Sequence, residues 1–240
     1  MSEDIQRLDK AVSSVFSLTR SEAKKAIRAG SVTVNGVALR DGALQVDPSK
    51  DVLALNGKTA QWRKFVYIMM NKPAGYLSAT EDKACATVLD LLSPQDIKRG
   101  VFPAGRLDKD SEGFLLLTDD GNFAHEMISP KKHVPKRYVV TLDHSACDDD
   151  IAAFKSGITL DDGYLCMSAG LEILPDCRAA VTLVEGKFHQ VKRMFEARGN
   201  KVLYLKRISI GNLQLDDSLA LGESRYITDE ELLLLKGENV

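Results

Sequence analysis

Cysteine is scarce in this sequence: four in 240 residues, at Cys85, Cys147, Cys166 and Cys177, with no C-x-x-C spacing. That argues against a disulfide framework and against a zinc site, and it fits a reducing compartment, the cytoplasm. Long hydrophobic runs are missing as well. No apolar window of about eighteen residues occurs, so no spanning helix is expected. The opening stretch MSEDIQRLDK is polar and acidic, unlike a secretory signal. Several reactive signatures are absent. There is no G-x-S-x-G elbow. His125-Glu126 lacks the second histidine of a zinc-protease helix, because position 129 is Ser. Histidines at 125, 133, 144 and 189 are scattered, which is no ligand cluster. No G-x-G-x-x-G follows a strand pattern, and Gly57-Lys58-Thr59 lacks the phosphate-loop glycine at position 52, which is Val. Nicotinamide, metal and nucleoside-triphosphate chemistry therefore have no support, and no cofactor or metal is expected.

A strong excess of one charge is missing too, since the net charge is −2. Its distribution is uneven. Residues 5–40 hold seven Lys/Arg against two acids, residues 129–140 four against none, and residues 185–207 seven against two. The acids collect in 143–176 and 214–240. Charge runs are often only solvated surface, but segregated positive potential also attracts phosphate.

The first sixty residues read as a small module. Thr19-Arg20-Ser21-Glu22 has the pattern of a capping box. Ala23, Ala26 and Ile27 follow at helical spacing, and Gly30 is set to end that helix. Ile5, Leu8, Val12, Val15 and Phe16 predict an earlier helix. Valines alternating around Asn35-Gly36 predict a type I′ hairpin, and further strands are expected at 44–46 and 51–55. Lys24, Lys25 and Arg28 fall away from the apolar face, which would suit a nucleic acid backbone. Residues 56–61 read as a linker.

From residue 62 onward strands outnumber helices. Strands are expected at 65–70, 114–118, 138–142, 180–184, 202–205 and 208–210, and helices at 87–92, 122–128, 188–198 and 228–235. The fold class is therefore α+β: a small module at 1–60 and a larger domain at 62–240 around a mixed or antiparallel sheet. Charged residues sit at glycine-rich or apolar strand ends: Gly105-Arg106-Leu107-Asp108, then Lys136-Arg137-Tyr138, then the basic run from Glu185 to Phe195. Taken singly, Asp108 is an ordinary turn residue and the basic run an ordinary solvated face.

Two resemblances bind these pieces together. Arg7-Leu8-Asp9-Lys10, Thr19 to Ala23, Ile27, Gly30 and Val32-x-Val34-Asn35-Gly36 resemble the S4 RNA-binding domain. Asn71-Lys72-Pro73-x-Gly75, then Gly105-Arg106-Leu107-Asp108-x-Asp110-Ser111-x-Gly113 with Leu115 to Gly121, then Lys136-x-Tyr138-x-Val140, and finally Glu185-Gly186-Lys187-x-His189 to Phe195 with Gly199 resemble, in that order, the motifs of S4-domain pseudouridine synthases. The branch it most resembles acts on small-subunit 16S rRNA, judged from residues 118–121 and 129–133.

The resemblance implies isomerisation of uridine to pseudouridine in ribosomal RNA, without cofactor or metal, by a monomer working on 16S rRNA or a small-subunit assembly intermediate. It implies that Asp108 is the essential carboxylate, that Lys192 pairs with it, that Tyr138 stacks on the base, and that Arg106 fills the space an extruded uridine leaves. The implied RNA contacts are Arg7, Arg20, Lys24, Lys25, Arg28, Lys131, Lys132, Lys187, His189 and Gln190. Three rival readings remain: the same chemistry on 23S rRNA, a non-catalytic RNA-binding or assembly factor, and a metal nuclease using Asp108, Asp110 and Glu112.

Overall fold

The computed structural model describes residues 4–60, 62–129 and 132–237. They fall into two compact units: Met1–Val66 with Ser93–Gly100, and Tyr67–Leu92 with Val101–Val240.

The first unit runs β1 (Gln6–Arg7), α1 (Leu8–Val15), α2 (Arg20–Arg28), β2 (Val32–Val34), β3 (Val37–Ala38), β4 (Gln45–Val46), β5 (Leu53–Leu55) and β6 (Lys58–Thr59), and it takes in α3 (Pro94–Arg99). The predicted capping box is formed: Glu22 N donates to Thr19 Oγ1, and Thr19 N donates to the Glu22 carboxylate at 2.7 Å. The helix pair buries Leu8, Val12, Val15, Ala23 and Ile27 against Val32, Val34 and Leu53. Ile5 stays exposed, because the chain enters α1 only after β1. Asn35 and Gly36 both take positive φ, 52° and 82°, and close the β2–β3 hairpin. Asn56 and Gly57 do the same at 50° and 76° between β5 and β6. The stretch read as a linker thus begins with a second hairpin turn, by the same Asn-Gly chemistry. Gln61 lies outside the described residues.

The second unit holds β7 (Tyr67–Lys72), a 3₁₀ turn at Val88–Leu91, β8 (Phe102–Pro103), β9 (Glu112–Thr118), α4 (Gly121–Ile128), β10 (Lys136–Leu142), α5 (Asp148–Ser156), β11 (Gly170–Leu174), β12 (Arg178–Leu183), α6 (Gln190–Ala197), β13 (Val202–Ile210), β14 (Leu213–Gln214), β15 (Ser224–Tyr226) and α7 (Asp229–Leu235). The main sheet has the order β11-β12-β10-β13-β9-β7-β15, with β8 on β9 and β14 on β13. Among the described residues its pairs are antiparallel except β9 with β13. Met69, Phe114, Leu116, Phe123, Met127, Ile210 and Leu235 pack one core.

Strands β9 and β13 meet through Gly113. It takes φ 101°, and a Cβ there would stand 2.2 Å from the Arg207 carbonyl oxygen. Only glycine permits so close a backbone approach. The two strands expected at 202–205 and 208–210 are one continuous strand, since Lys206 and Arg207 pair with both neighbours. The helix expected from 188 begins at Gln190, because His189 takes the left-handed conformation at φ 49°. Helix α5 lies in the acidic stretch and was not anticipated.

Candidate active site

The Asp108 loop joins β8 to β9 and is fastened from below. Lys72, at the end of β7, is fully buried. Its Nζ donates to the carbonyls of Ser111 at 2.8 Å, Pro73 at 3.0 Å, Asp108 at 3.1 Å and Lys109 at 3.4 Å. Burial lowers the Lys72 pKa to about 8, against the pull of Asp110 and Asp108. Gly75 N donates to the Lys109 carbonyl at 2.7 Å. Ser78 Oγ donates to Leu107 O and accepts from Leu107 N. The Asn-Lys-Pro-x-Gly segment therefore holds the loop in shape.

The loop presents Asp108 to a cleft of about 890 Å³ within the second unit. Lys192, from the first turns of α6, lies 3.2 Å from Asp108 Oδ2 and 2.6 Å from Asp110 Oδ1. Burial pulls the Lys192 ammonium down, but its hydrogen bond to Asp110 and the Asp108 charge outweigh this and hold its pKa above the ordinary lysine value. The hydrogen bond from Lys192 lowers the Asp110 carboxyl. His189 Nε2 stands 3.6 Å from Asp108 Oδ1. Asp110 as a second partner of Lys192 was not foreseen. The three acids of the nuclease reading do not converge: an ammonium joins Asp108 and Asp110, while Glu112 accepts from Tyr204 OH at 2.7 Å.

The floor of the cleft is one face of the sheet. Lys136 and Tyr138 alternate onto it from β10. Their cross-strand partners are Leu183 and Ile210 for Lys136 and Val181 and Arg207 for Tyr138; Leu183, Ile210 and Arg207 line the cleft. Tyr138 is buried, with the Arg207 guanidinium 5.9 Å from its ring centre. Burial, and then the Arg207 charge, lower the Lys136 pKa to about 8.

One wall is the loop before α6. Glu185 is buried and accepts from Tyr164 OH at 2.8 Å, Met167 N at 2.8 Å and Gln190 Nε2 at 2.6 Å. Gln190 Oε1 in turn accepts from Lys187 N at 2.9 Å. Both ends of the buried Gln190 amide are thus used inside the protein. Phe188 is 69% exposed and stacks on His189 with ring centres 3.8 Å apart. Lys187 is exposed, its Nζ 4.3 Å from the Tyr164 ring centre. Sequence reasoning missed Glu185, Phe188, Arg207 and Lys136 as wall and floor. The Lys136-x-Tyr138 spacing carried the last of these, because a strand period of two puts both on one face.

Asp108, Tyr138, Lys192, Arg106, Lys187 and His189 come together around this cleft, with Arg106 exposed. Lys132 is exposed, and Lys131 lies outside the described residues. In the first unit Lys24, Lys25 and Arg28 are exposed on α2. Arg7 and Arg20 are not free charges: both pair with the buried Asp9, at 2.9 and 2.7 Å. The hydrogen bond from Arg7, followed by that from Arg20, lowers the Asp9 carboxyl to about 2 despite its burial. Among the described residues no helix is long and apolar enough to cross a membrane.

Comparison with known proteins agrees with this geometry. The model of the RNA pseudouridylate synthase family matches residues 66–197, and that of the S4 domain matches residues 6–52. An uncharacterized RNA pseudouridine synthase of Bacillus subtilis (strain 168) is 46% identical over 233 residues, covering 95% of this chain and 98% of its own. Ribosomal small subunit pseudouridine synthase A of Escherichia coli (strain K12) is 40% identical over 227 residues, covering 94% and 98%. A crystal structure of a pseudouridylate synthase shares 39% identity with a TM-score of 0.68, over 95% of this chain and 99% of that one.

Proposed function

The chain belongs to the RNA pseudouridylate synthases, is an RNA pseudouridine synthase with an S4 domain ahead of the catalytic one, and from that premise we propose that it isomerises a uridine of 16S rRNA with Asp108 as the essential carboxylate. The observation that carries the role of Asp108 is its position: a carboxylate in the cleft, 3.2 Å from the Lys192 ammonium. The ammonium holds the carboxylate in the cleft, where attack on ribose requires it. The 16S target is supported by relatives about as long as this chain that carry the small-subunit name.

The substrate uridine must leave its stack to reach Asp108, at about a few kcal/mol. Phosphate contacts by Lys24, Lys25, Arg28, Lys132 and Lys187, with Lys131, offset that and position the RNA without reading its sequence. Arg106, exposed at the rim, takes up the space the base leaves. Tyr138 stacks on the extruded base and helps remove the C5 proton. Asp108 acts on the ribose at C1′ or C2′ while the bond to N1 breaks, and C5 then bonds to C1′. The enzyme works as a monomer on free 16S rRNA or a small-subunit assembly intermediate. The four free cysteines support a reducing compartment, the cytoplasm.

Tritium release from uridine C5 tests this reading on 16S and 23S transcripts and on ribosomal particles. Release from 16S RNA alone is expected, and Asp108→Asn should abolish it while RNA binding survives. Release from 23S alone would overturn the target. Full turnover by Asp108→Asn would overturn the role of the carboxylate. RNA binding without release from any substrate would favour the non-catalytic factor.

A further inference from the structure

The charges in the cleft divide into two groups. Beside Asp108 two lysines are matched. Lys192 has two carboxylates, and Lys72 has four carbonyls. On the floor Arg207 and Lys136 have a single main-chain carbonyl each and no carboxylate. Arg207 is 3% exposed; its Nε donates to Phe114 O at 2.7 Å, and its buried Nη2 has no hydrogen-bond partner. The Lys136 ammonium donates to a main-chain carbonyl, that of Val134 at 3.0 Å. Among the described residues no carboxylate pairs with either. Two unmatched positive charges withdrawn from water and repelling one another are costly to keep. They make a receptor for negative charge that arrives from outside.

The surroundings say what carries that charge. Leu183 and Ile210 flank Lys136 across the sheet, and Tyr138, two residues along β10, stands opposite Arg207. An apolar, flat floor with one phenol ring suits the face of a planar heterocycle. A phosphate would need several donors converging on it, whereas the cross-strand neighbours of Lys136 are Leu183 and Ile210.

We propose that Lys136 and Arg207 receive the negative charge that the pyrimidine acquires when its bond to ribose breaks. This rests on the pseudouridine synthase reading with Asp108 as the reacting carboxylate. When the C1′–N1 bond breaks, its electron pair leaves with the base. The base becomes a monoanion, with its charge shared by N1, O2 and O4. Asp108 balances the step by bonding an oxygen to C1′, or by taking the C2′ proton as a C1′–C2′ double bond forms. Either way one negative charge passes from Asp108 to the base. It moves from the Lys192 end of the cleft to the Lys136–Arg207 end. Carbon C5 then bonds to C1′, and Asp108 regains its electron pair or returns its proton to C2′. Finally C5 loses its proton and N1 gains one, which completes a redox-neutral isomerisation. Preorganised charge aimed at the developing anion acts only in the step that needs it.

The test compares leaving groups. Fluorine at C5 withdraws electrons and stabilises the base anion, so a 5-fluorouridine transcript depends less on protein charge. Single-turnover loss of the starting nucleoside is followed by chromatography of digests of 16S transcripts made with uridine or 5-fluorouridine; the fluorinated base has no C5 proton to lose, so after C5 bonds to C1′ it takes up water across N1 and C6 instead. Lys136→Met should slow uridine by about 100-fold and 5-fluorouridine by about 10-fold or less. Lys136→Arg should recover most of the rate, and RNA affinity should not change. Lys136→Gln, one atom shorter and polar, gives a second reading if the methionine variant fails to fold. Equal slowing of both substrates would overturn the proposal, as would an unchanged rate. A loss confined to RNA affinity and its salt dependence would make Lys136 a phosphate contact instead. Inactivity of the wild-type enzyme on every ribosomal RNA is a separate outcome, which would sink the function reading itself.

Discussion

Lys72 and Asp108 are 36 residues apart in sequence, yet one side chain sets the other's backbone. The Asn-Lys-Pro-x-Gly segment was legible as a family mark. The task of its lysine was not, because its acceptors are carbonyls of a loop that only the folded sheet brings near. Lys72→Met should cost about 3 kcal/mol, since it strips the donor from buried carbonyls. By loosening Asp108 it should lower kcat about 100-fold with KM little changed. Urea denaturation and steady-state kinetics check the two effects. Lys136 carries the opposite sign. Its pKa falls from 10.5 to about 8 on folding, so the protonated form is disfavoured in the native state. The cost is fully present below pH 8 and is relieved as pH rises from about 8 toward 10.5, where the unfolded chain binds the extra proton. Lys136→Met should therefore stabilise the protein at pH 7 by about 2 kcal/mol. The gap should shrink at pH 10, as paired denaturation curves at the two pH values would reveal. The gathering of Asp108, Tyr138, Lys192 and Arg106 at one cleft was legible because they sit in ordered motifs. Arg207 and Glu185 were not, because their roles are partnerships across the sheet and across a wall.

Elements were legible where local chemistry dictates them. The capping box at Thr19, the Asn35-Gly36 turn and the apolar run of β9 form as their residues require. Elements decided by tertiary context were not. The acids Asp148, Asp149 and Asp150 read as solvated charge, yet they stand in the first turn of α5, where the helix dipole favours them. The start of α6 was misjudged by two residues because His189 adopts a left-handed backbone, which no spacing announces. The junction of β9 and β13 is the sharpest case. It is a short parallel contact, Lys206 with Glu112 and Arg207 with Gly113, and it fixes Arg207 beneath the cleft. Gly113→Ala would drive a Cβ into the Arg207 main chain at a φ that L-residues rarely adopt. It should destabilise the protein by about 3 kcal/mol or more. Thermal denaturation would measure this, and a variant as stable as wild type would mean that the strands can part without penalty.

Over the whole molecule, net charge and local charge point in different directions. A net charge of −2 gives no general attraction to RNA, so affinity must come from local positive faces. In the first unit those faces are unequal. Lys24 and Lys25 are exposed on α2, whereas Arg7 and Arg20 share the buried Asp9 carboxylate and have part of their charge already matched. Each phosphate neutralised releases counterions, and the salt slope counts those releases. Changing Lys24 and Lys25 together to Ala should weaken binding to 16S RNA at every salt concentration and reduce the slope of log K against log salt by about 1.5. Arg20→Ala should change the slope less than Lys24→Ala does, because the Arg20 guanidinium is held on Asp9 at 2.7 Å and is not turned to phosphate. Filter binding across a salt series distinguishes the two. If Arg20→Ala altered the slope as much as Lys24→Ala, the arginine would have to leave Asp9 for phosphate on binding. The Arg20–Asp9 pair would then belong to the RNA-free state only.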